Sequence, residues 1–161
     1  SADAWMGGFG DRERTLAIMK DPRSGPIAVV VLVLLLLLKF AALLALLEHG
    51  RQLALLLVPV LGRAAVLALF LHTPYVRPGG LGEALAKHLP RSTAGVVLAL
   101  TLLACLLLGG AWMLLVAVVI FFWLRRLMLQ RLGGTTGDTA GALLEVLECG
   151  ALLALALQLG S

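Results

Sequence analysis

The chain has 161 residues, of which 61% are hydrophobic and 14% charged, with a formal net charge of +4 and a mean hydropathy of +1.03. That composition excludes an ordinary soluble domain and sets the expectation of an all-α integral membrane protein, a polytopic helical bundle of about five transmembrane helices forming a single domain. The basic residues are dispersed without interleaved aromatics, which argues against a nucleic-acid partner.

In chain order, residues 1–26 read as a cytoplasmic segment. Within "DRERTLAIMKDPRSGP" Asp11 caps a short amphipathic helix that Pro22 ends, lying on the membrane surface with Leu16, Ile18 and Met19 as anchors. Asp21, Arg23 and Gly25 crowd a short acid, a guanidinium and a glycine against the start of a span. That combination suits phosphate and metal together, since Arg grips phosphate oxygens with two donors and Gly admits close backbone approach. No secretory signal peptide is expected, and the opening "SADAW" suggests a chain lacking an N-terminal part.

Apolar stretches follow at about 27–47, 53–71, 94–108, 111–124 and 140–159. About 20 residues of helix cross a hydrocarbon core, and only helices or closed barrels satisfy the backbone there. The stretches lack the alternation of barrel strands, so helices are predicted. Ten of the chain's 13 Lys and Arg residues fall in 1–26, 73–92 and 125–139. Because basic residues near membrane ends stay inside, those three segments are predicted to share the cytoplasmic face of the membrane, with five crossings and the C-terminus outside.

Two spans carry cations, Lys39 in "LLLLLKFAALL" and Arg63 in "PVLGRAAVL". The segment "TPYVRPGGLGEALAKHLPRS" is bracketed by prolines and rich in glycine, so it is not one continuous helix. It reads most simply as a structured loop, whose Arg77, Lys87 and Arg91 also suit an anionic ligand. Cys105 and Cys149 fall inside spans with no metal-ligand spacing and read as small core residues. His49, His72 and His88 read as interfacial or solvated.

The last cytoplasmic stretch, "GGTTGDT", feeds the fifth span, and its glycines resemble a phosphate-cradling loop at a helix N-terminus. It is not a P-loop, because the Gly-Lys-Ser/Thr ending is missing. On a helix Asp138 and Glu145 fall within about 20° of each other, with Gly141 on the same stripe and Glu148 roughly 80° away. An intramembrane charge costs about 2.5–3.5 kcal/mol on insertion scales, so Glu145 and Glu148 need partners. Either they pair with Lys39 and Arg63 and fix helix register, or the acids hold Mg²⁺ while the cations balance charge or touch a substrate.

Taken together, "SAD", "RERTLAIMKDPRSG", "LKF", "GRAA", "PGGLG" and "LGGTTGDTAGALLEVLE" resemble, in order and over essentially the whole chain, the cobalamin synthases, the adenosylcobinamide-GDP ribazoletransferases of corrinoid biosynthesis. In that family an upstream motif resembles Asp-Gly-Leu-Ala-Asp-Thr-x-Asp-Gly. Ser1 stands at its Thr, Asp3 at its last Asp and Ala4 where Gly is common.

The resemblance implies Mg²⁺-dependent transfer of the adenosylcobinamide phosphate moiety from adenosylcobinamide-GDP to α-ribazole or its 5′-phosphate, with release of GMP. It implies Asp3, Asp138 and Glu145 as catalytic acids, and Asp3, Asp138, Glu145 and Glu148 as metal ligands. Asp21, Arg23, Lys39, Arg63, Gly133, Gly134, Thr136 and Gly137 are implied at the substrate. Membrane lipid and other corrinoid-pathway enzymes are the implied partners. The rival readings are a transporter, a structural subunit, or an enzyme like the CDP-alcohol phosphotransferases, whose Asp-Gly-x-x-Ala-Arg signature is missing here.

Overall fold

The computed structural model of the protein describes residues 2–8, 11–20 and 25–159. Its elements are helices: α1 (Ala2–Gly7), α2 (Arg12–Lys20), α3 (Pro26–Glu48), α4 (Gln52–His72), α5 (Leu81–His88), α6 (Arg91–Leu132) and α7 (Gly137–Leu157). Four of them, α3, α4, α6 and α7, are long and apolar enough to cross a membrane. The chain is a helical integral membrane protein.

The helix starts show how the sequence sets these boundaries. Asp11 accepts a hydrogen bond from the Arg14 amide at 3.1 Å, so α2 begins where the sequence places it. Pro26 occupies the first turn of α3, where its missing N–H costs nothing. Gly25, ahead of it, has no side chain with which to cap, and the cap comes from α1 instead. The Asp3 carboxylate accepts from the amides of Gly25 at 2.9 Å and Ala28 at 3.1 Å.

Element α6 is two helices that meet at Gly110, whose φ of 85° and ψ of 161° are not helical, so the expected stretches 94–108 and 111–124 lie on either side of that break. A straight helix over all 42 residues would run about 63 Å, twice a hydrocarbon core. Gly110 instead folds the chain back on itself. Leu98 and Leu102 before the bend and Leu114 and Phe121 after it line one cavity with Ala68 and His72 of α4. A positive φ is open to Gly without the Cβ penalty, which is why the fold-back falls there.

Helix α7 is the centre of the bundle and packs against α3, α4 and α6. Its Thr139, Ala140, Leu143, Leu147, Ala151, Leu152, Ala154 and Leu155 are buried. Small residues let α6 close on it: a Cβ at Gly150 would run into Ile120. By contrast α3 buries only Ala42 and Leu46. Most of its other large residues, Val29 to Leu34, Leu36 to Leu38 and Phe40 among them, are exposed as a lipid-facing surface would be. Cys105 and Cys149 are buried core residues, as read from sequence.

The three basic segments meet at one end of this bundle. Thr73 of the middle segment accepts from Arg125 at 3.0 Å, Trp5 of the first accepts through its carbonyl from Arg131 at 2.7 Å, and Tyr75 forms an isolated β-bridge with Thr135. The middle segment contains the eight-residue α5, preceded by non-helical chain from Thr73 to Gly80. Glu83 closes that turn, accepting from the Gly79 amide at 2.6 Å and from Lys87 at 2.7 Å.

The Lys87 ammonium, then the Gly79 amide, hold the Glu83 carboxyl below the usual carboxylate range. A depressed folded-state pKa means that the clasp contributes above the ordinary carboxylate pKa and is lost as pH falls through the lowered one. A carbon-detected titration of Glu83 is expected to show a midpoint below that of an exposed glutamate, and Lys87→Ala is expected to move it back up.

Candidate active site

Two groups of charged side chains are built on α7, one deep in the bundle and one at its basic end. In the deep group Lys39 of α3 donates to Glu145 at 2.6 Å and to Glu148 at 2.9 Å. Arg63 of α4 reaches the other oxygen of Glu148 at 3.0 Å. Lys39 lies 13 residues into α3, so about 20 Å from its start, well inside an apolar layer. Two carboxylates and two cations therefore balance where each alone would be costly.

The exposures separate the two acids. The Glu148 side chain is 13% exposed and that of Lys39 14%, whereas Glu145 is 46% exposed. Glu148 thus bridges α3 and α4 within the bundle. Gly62 makes the space for it, since a Cβ there would sit 2.9 Å from a Glu148 oxygen. Glu145 instead lines a cavity of about 590 Å³ with Trp5, Leu35, Trp123, Arg131 and Thr139. That cavity connects the deep carboxylate to the basic end, where Arg131 also stacks on Trp5 at 4.9 Å.

At the basic end, the loop between α6 and α7 is held by its own backbone. Gly133 takes the left-handed conformation, φ 71°, and caps α6 with its amide on Leu129. Thr135 donates to the Pro74 carbonyl at 2.8 Å, and its own carbonyl accepts from Val76 at 2.9 Å. The Thr136 amide goes to the Thr139 hydroxyl at 2.9 Å, one half of a capping box that starts α7. A Cβ at Gly134 would collide with the Pro74 carbonyl oxygen, so glycine there is required by the docking of 74–76.

These contacts change the expected phosphate cradle. Three of its amides, at residues 133, 135 and 136, already have acceptors. Gly134 and Thr136 serve the loop's packing, and Thr135, Thr136 and Thr139 are fully buried. Gly137 and Asp138, in the first turn of α7, are exposed. Asp138 receives Arg77 of the middle segment at 2.6 Å.

The expected Mg²⁺ ligands Asp3, Asp138, Glu145 and Glu148 are not brought together. Among the described residues no group of three or more His, Cys, Asp or Glu side chains stands where it could hold a metal ion. The physical reason is that each acid is already taken: Asp3 caps α3, Asp138 meets Arg77, and the glutamates share Lys39. Lys39 and Arg63 accordingly act on those carboxylates. Asp21 and Arg23 lie outside the described residues.

In the sequence Arg77 reads only as one of three cations in a loop, and the sequence reading does not reach the spatial contacts of this site. The cavity residues Trp5, Trp123 and Arg131, and the tertiary capping role of Asp3, are missed. No spacing pattern announces them, because each contact joins residues far apart in the chain.

Comparison with known proteins gives the family. Residues 1–156 match the model of CobS, cobalamin-5-phosphate synthase. The chain belongs to this family. Proteins named adenosylcobinamide-GDP ribazoletransferase are 71% identical over 160 residues in Pseudomonas putida (strain W619) and 67% identical over 162 residues in Stutzerimonas stutzeri (strain A1501). A third, from Pseudomonas savastanoi pv. phaseolicola, is 70% identical over 160 residues. These matches cover 98%, 99% and 98% of this chain, which spans 66% of the length of each curated relative. No solved structure matches the chain.

Two sets of substitutions test the geometry. Glu148→Ala leaves both Lys39 and Arg63 without that carboxylate and is expected to destabilise by about 3–5 kcal/mol, Glu145→Ala by clearly less, in unfolding of purified protein from detergent. Gly134→Ala is expected to cost about 1–3 kcal/mol through overpacking. Gly95→Ala, where a Cβ meets nothing within 4 Å, is expected to leave the thermal midpoint unchanged or raise it.

Proposed function

We propose that the chain carries the corrinoid-nucleotide transfer named in its relatives: it moves the adenosylcobinamide phosphate moiety of adenosylcobinamide-GDP onto α-ribazole or its 5′-phosphate, releasing GMP. The single observation that carries this is the family match over residues 1–156. The family name speaks of a 5-phosphate product and the relatives' name of ribazole transfer, so both acceptors belong to the proposal.

The geometry supports a reaction at the basic end. In such a displacement a ribose hydroxyl forms a bond to the corrinoid-side phosphorus, the bond from that phosphorus to the bridging oxygen breaks, and GMP leaves with the bond's electron pair. The hydroxyl proton passes to a base or to solvent. What the protein must supply is placement of both partners and compensation of the anionic phosphates. Positive charge gathered where three segments meet draws the anionic substrate, and the first turn of α7 presents the end of the helix that favours anions. The cavity behind it, with Trp5 and Trp123, offers apolar and aromatic walls for the uncharged part of a substrate.

Mg²⁺ dependence, implied by the family resemblance, is the finer part of the proposal. The described carboxylates do not by themselves fit a Mg²⁺ centre, so no step is assigned to the ion.

The experiment supplies adenosylcobinamide-GDP and α-ribazole, or its phosphate, to membranes containing the full-length protein. GMP release with formation of the corresponding cobalamin is expected, and absence of GMP rejects the proposal. Running the assay in EDTA and restoring Mg²⁺ decides the metal requirement separately. A transporter would instead move substrate into sealed vesicles chemically unchanged.

A further inference from the structure

We propose that Arg77 is a partner-exchanging anion receptor: its guanidinium, held by Asp138 in the described structure, leaves that carboxylate to bind the pyrophosphate oxygens of the substrate. The inference rests on the phosphate-transfer reading above and adds to it a residue, a ligand group and a competition.

The position of Arg77 is fixed by main chain. Residues 74–76 are docked on the loop by the reciprocal hydrogen bonds Thr135 to Pro74 and Val76 to Thr135. Gly134 has room for nothing else on that side, and the Tyr75 ring is lodged against Gly80, Gly82 and Phe70. Arg77 therefore projects from an anchored backbone beside the first turn of α7. Asp138 and Arg77 side chains are 44% and 33% exposed, so a ligand from solvent reaches the pair without opening the fold.

The contact itself is incomplete. Only Nη1 of Arg77 meets Asp138, at 2.6 Å. The remaining donors of the guanidinium fork have no acceptor among the described residues. A fork of five N–H donors matches two oxygens of a phosphate better than one oxygen of a carboxylate. Three of the other cations at this end are engaged otherwise, Arg125 with Thr73 and the His72 carbonyl, Arg131 with Trp5 and Lys87 with Glu83. The exposed carboxylate of Asp138 competes with an incoming anion for the same guanidinium.

That competition makes two substitutions act in opposite directions. Binding of inorganic pyrophosphate to full-length protein in detergent is measured by calorimetry, in EDTA and at fixed ionic strength. Arg77→Ala is expected to weaken binding about tenfold or more, and Arg77→Lys, which keeps charge but loses the fork, by about threefold or more. Asp138→Asn is expected to tighten binding about threefold or more by releasing Arg77, and this gain is expected to vanish in the Arg77→Ala background.

If the pair is only a latch between segments, Asp138→Asn and Arg77→Ala weaken binding alike, and that result overturns the proposal. So does unchanged binding in Arg77→Lys with an unchanged thermal midpoint, a comparison that serves even where Arg77→Ala fails to fold. No pyrophosphate binding by the wild-type protein overturns it as well. Since the probe is pyrophosphate alone, the outcome is independent of GMP release: a protein that binds it through Arg77 but transfers nothing refutes the function and leaves the receptor standing.

Discussion

The constraint on which the structure turns is that charge inside an apolar bundle must find its opposite within the protein. Lys39, Arg63, Glu145 and Glu148 come from three helices that share no local sequence, and their side chains meet within 3.0 Å. Helices that attract one another only through apolar packing in lipid are free to slide and rotate, because lipid tails solvate their side chains equally well. A hydrogen-bonded ionic set tolerates neither motion. Lys39 therefore gives the otherwise greasy and outward-facing α3 its register on α7, and Glu148, seated over Gly62, gives α7 its register on α4.

The basic end obeys a different economy, that of backbone hydrogen bonds. An irregular loop beside a membrane-spanning bundle must still satisfy its amides and carbonyls. The sequence does so by pairing the α6–α7 loop with 74–76 and by folding three threonines into a cap on α7. Glycines there serve distinct ends. Gly133 turns the chain in the left-handed region, whereas Gly134 lets another strand of main chain pass. What resembles a phosphate cradle in sequence is in space a joint between two segments, with the exposed first turn of α7 as its open side.

How much was legible follows from the range of each interaction. The helical class, the apolar stretches and the common end of the three basic segments could be read because composition and charge bias act on whole segments. The pairing of Lys39 and Arg63 with the glutamates was one of two readings, since four isolated intramembrane charges have few partners available. The fold-back at Gly110 falls at the glycine pair of "LLLGGAWML", which already separates the apolar stretches 94–108 and 111–124 in the sequence, although a glycine pair does not say whether the break is a loop or a bend. Asp3 was read as a metal ligand from its place in a motif, but its carboxylate faces the amides that open α3. A tertiary cap of that kind has no signature, because donor and acceptor lie more than twenty residues apart.

These two economies meet on α7, which carries Asp138 at its first turn and Glu145 and Glu148 farther along. A helix with most of its core-facing side fully buried, pinned at mid-length by ion pairs and at its start by a capping box, holds its first turn steady against the bundle. The side chains that remain adjustable are then those that reach it from outside, and Arg77 is such a side chain. Rigidity deep in the apolar layer is thus what permits exchange at the rim, since a receptor whose anchor moved with its ligand would lose in ordering what it gained in contact.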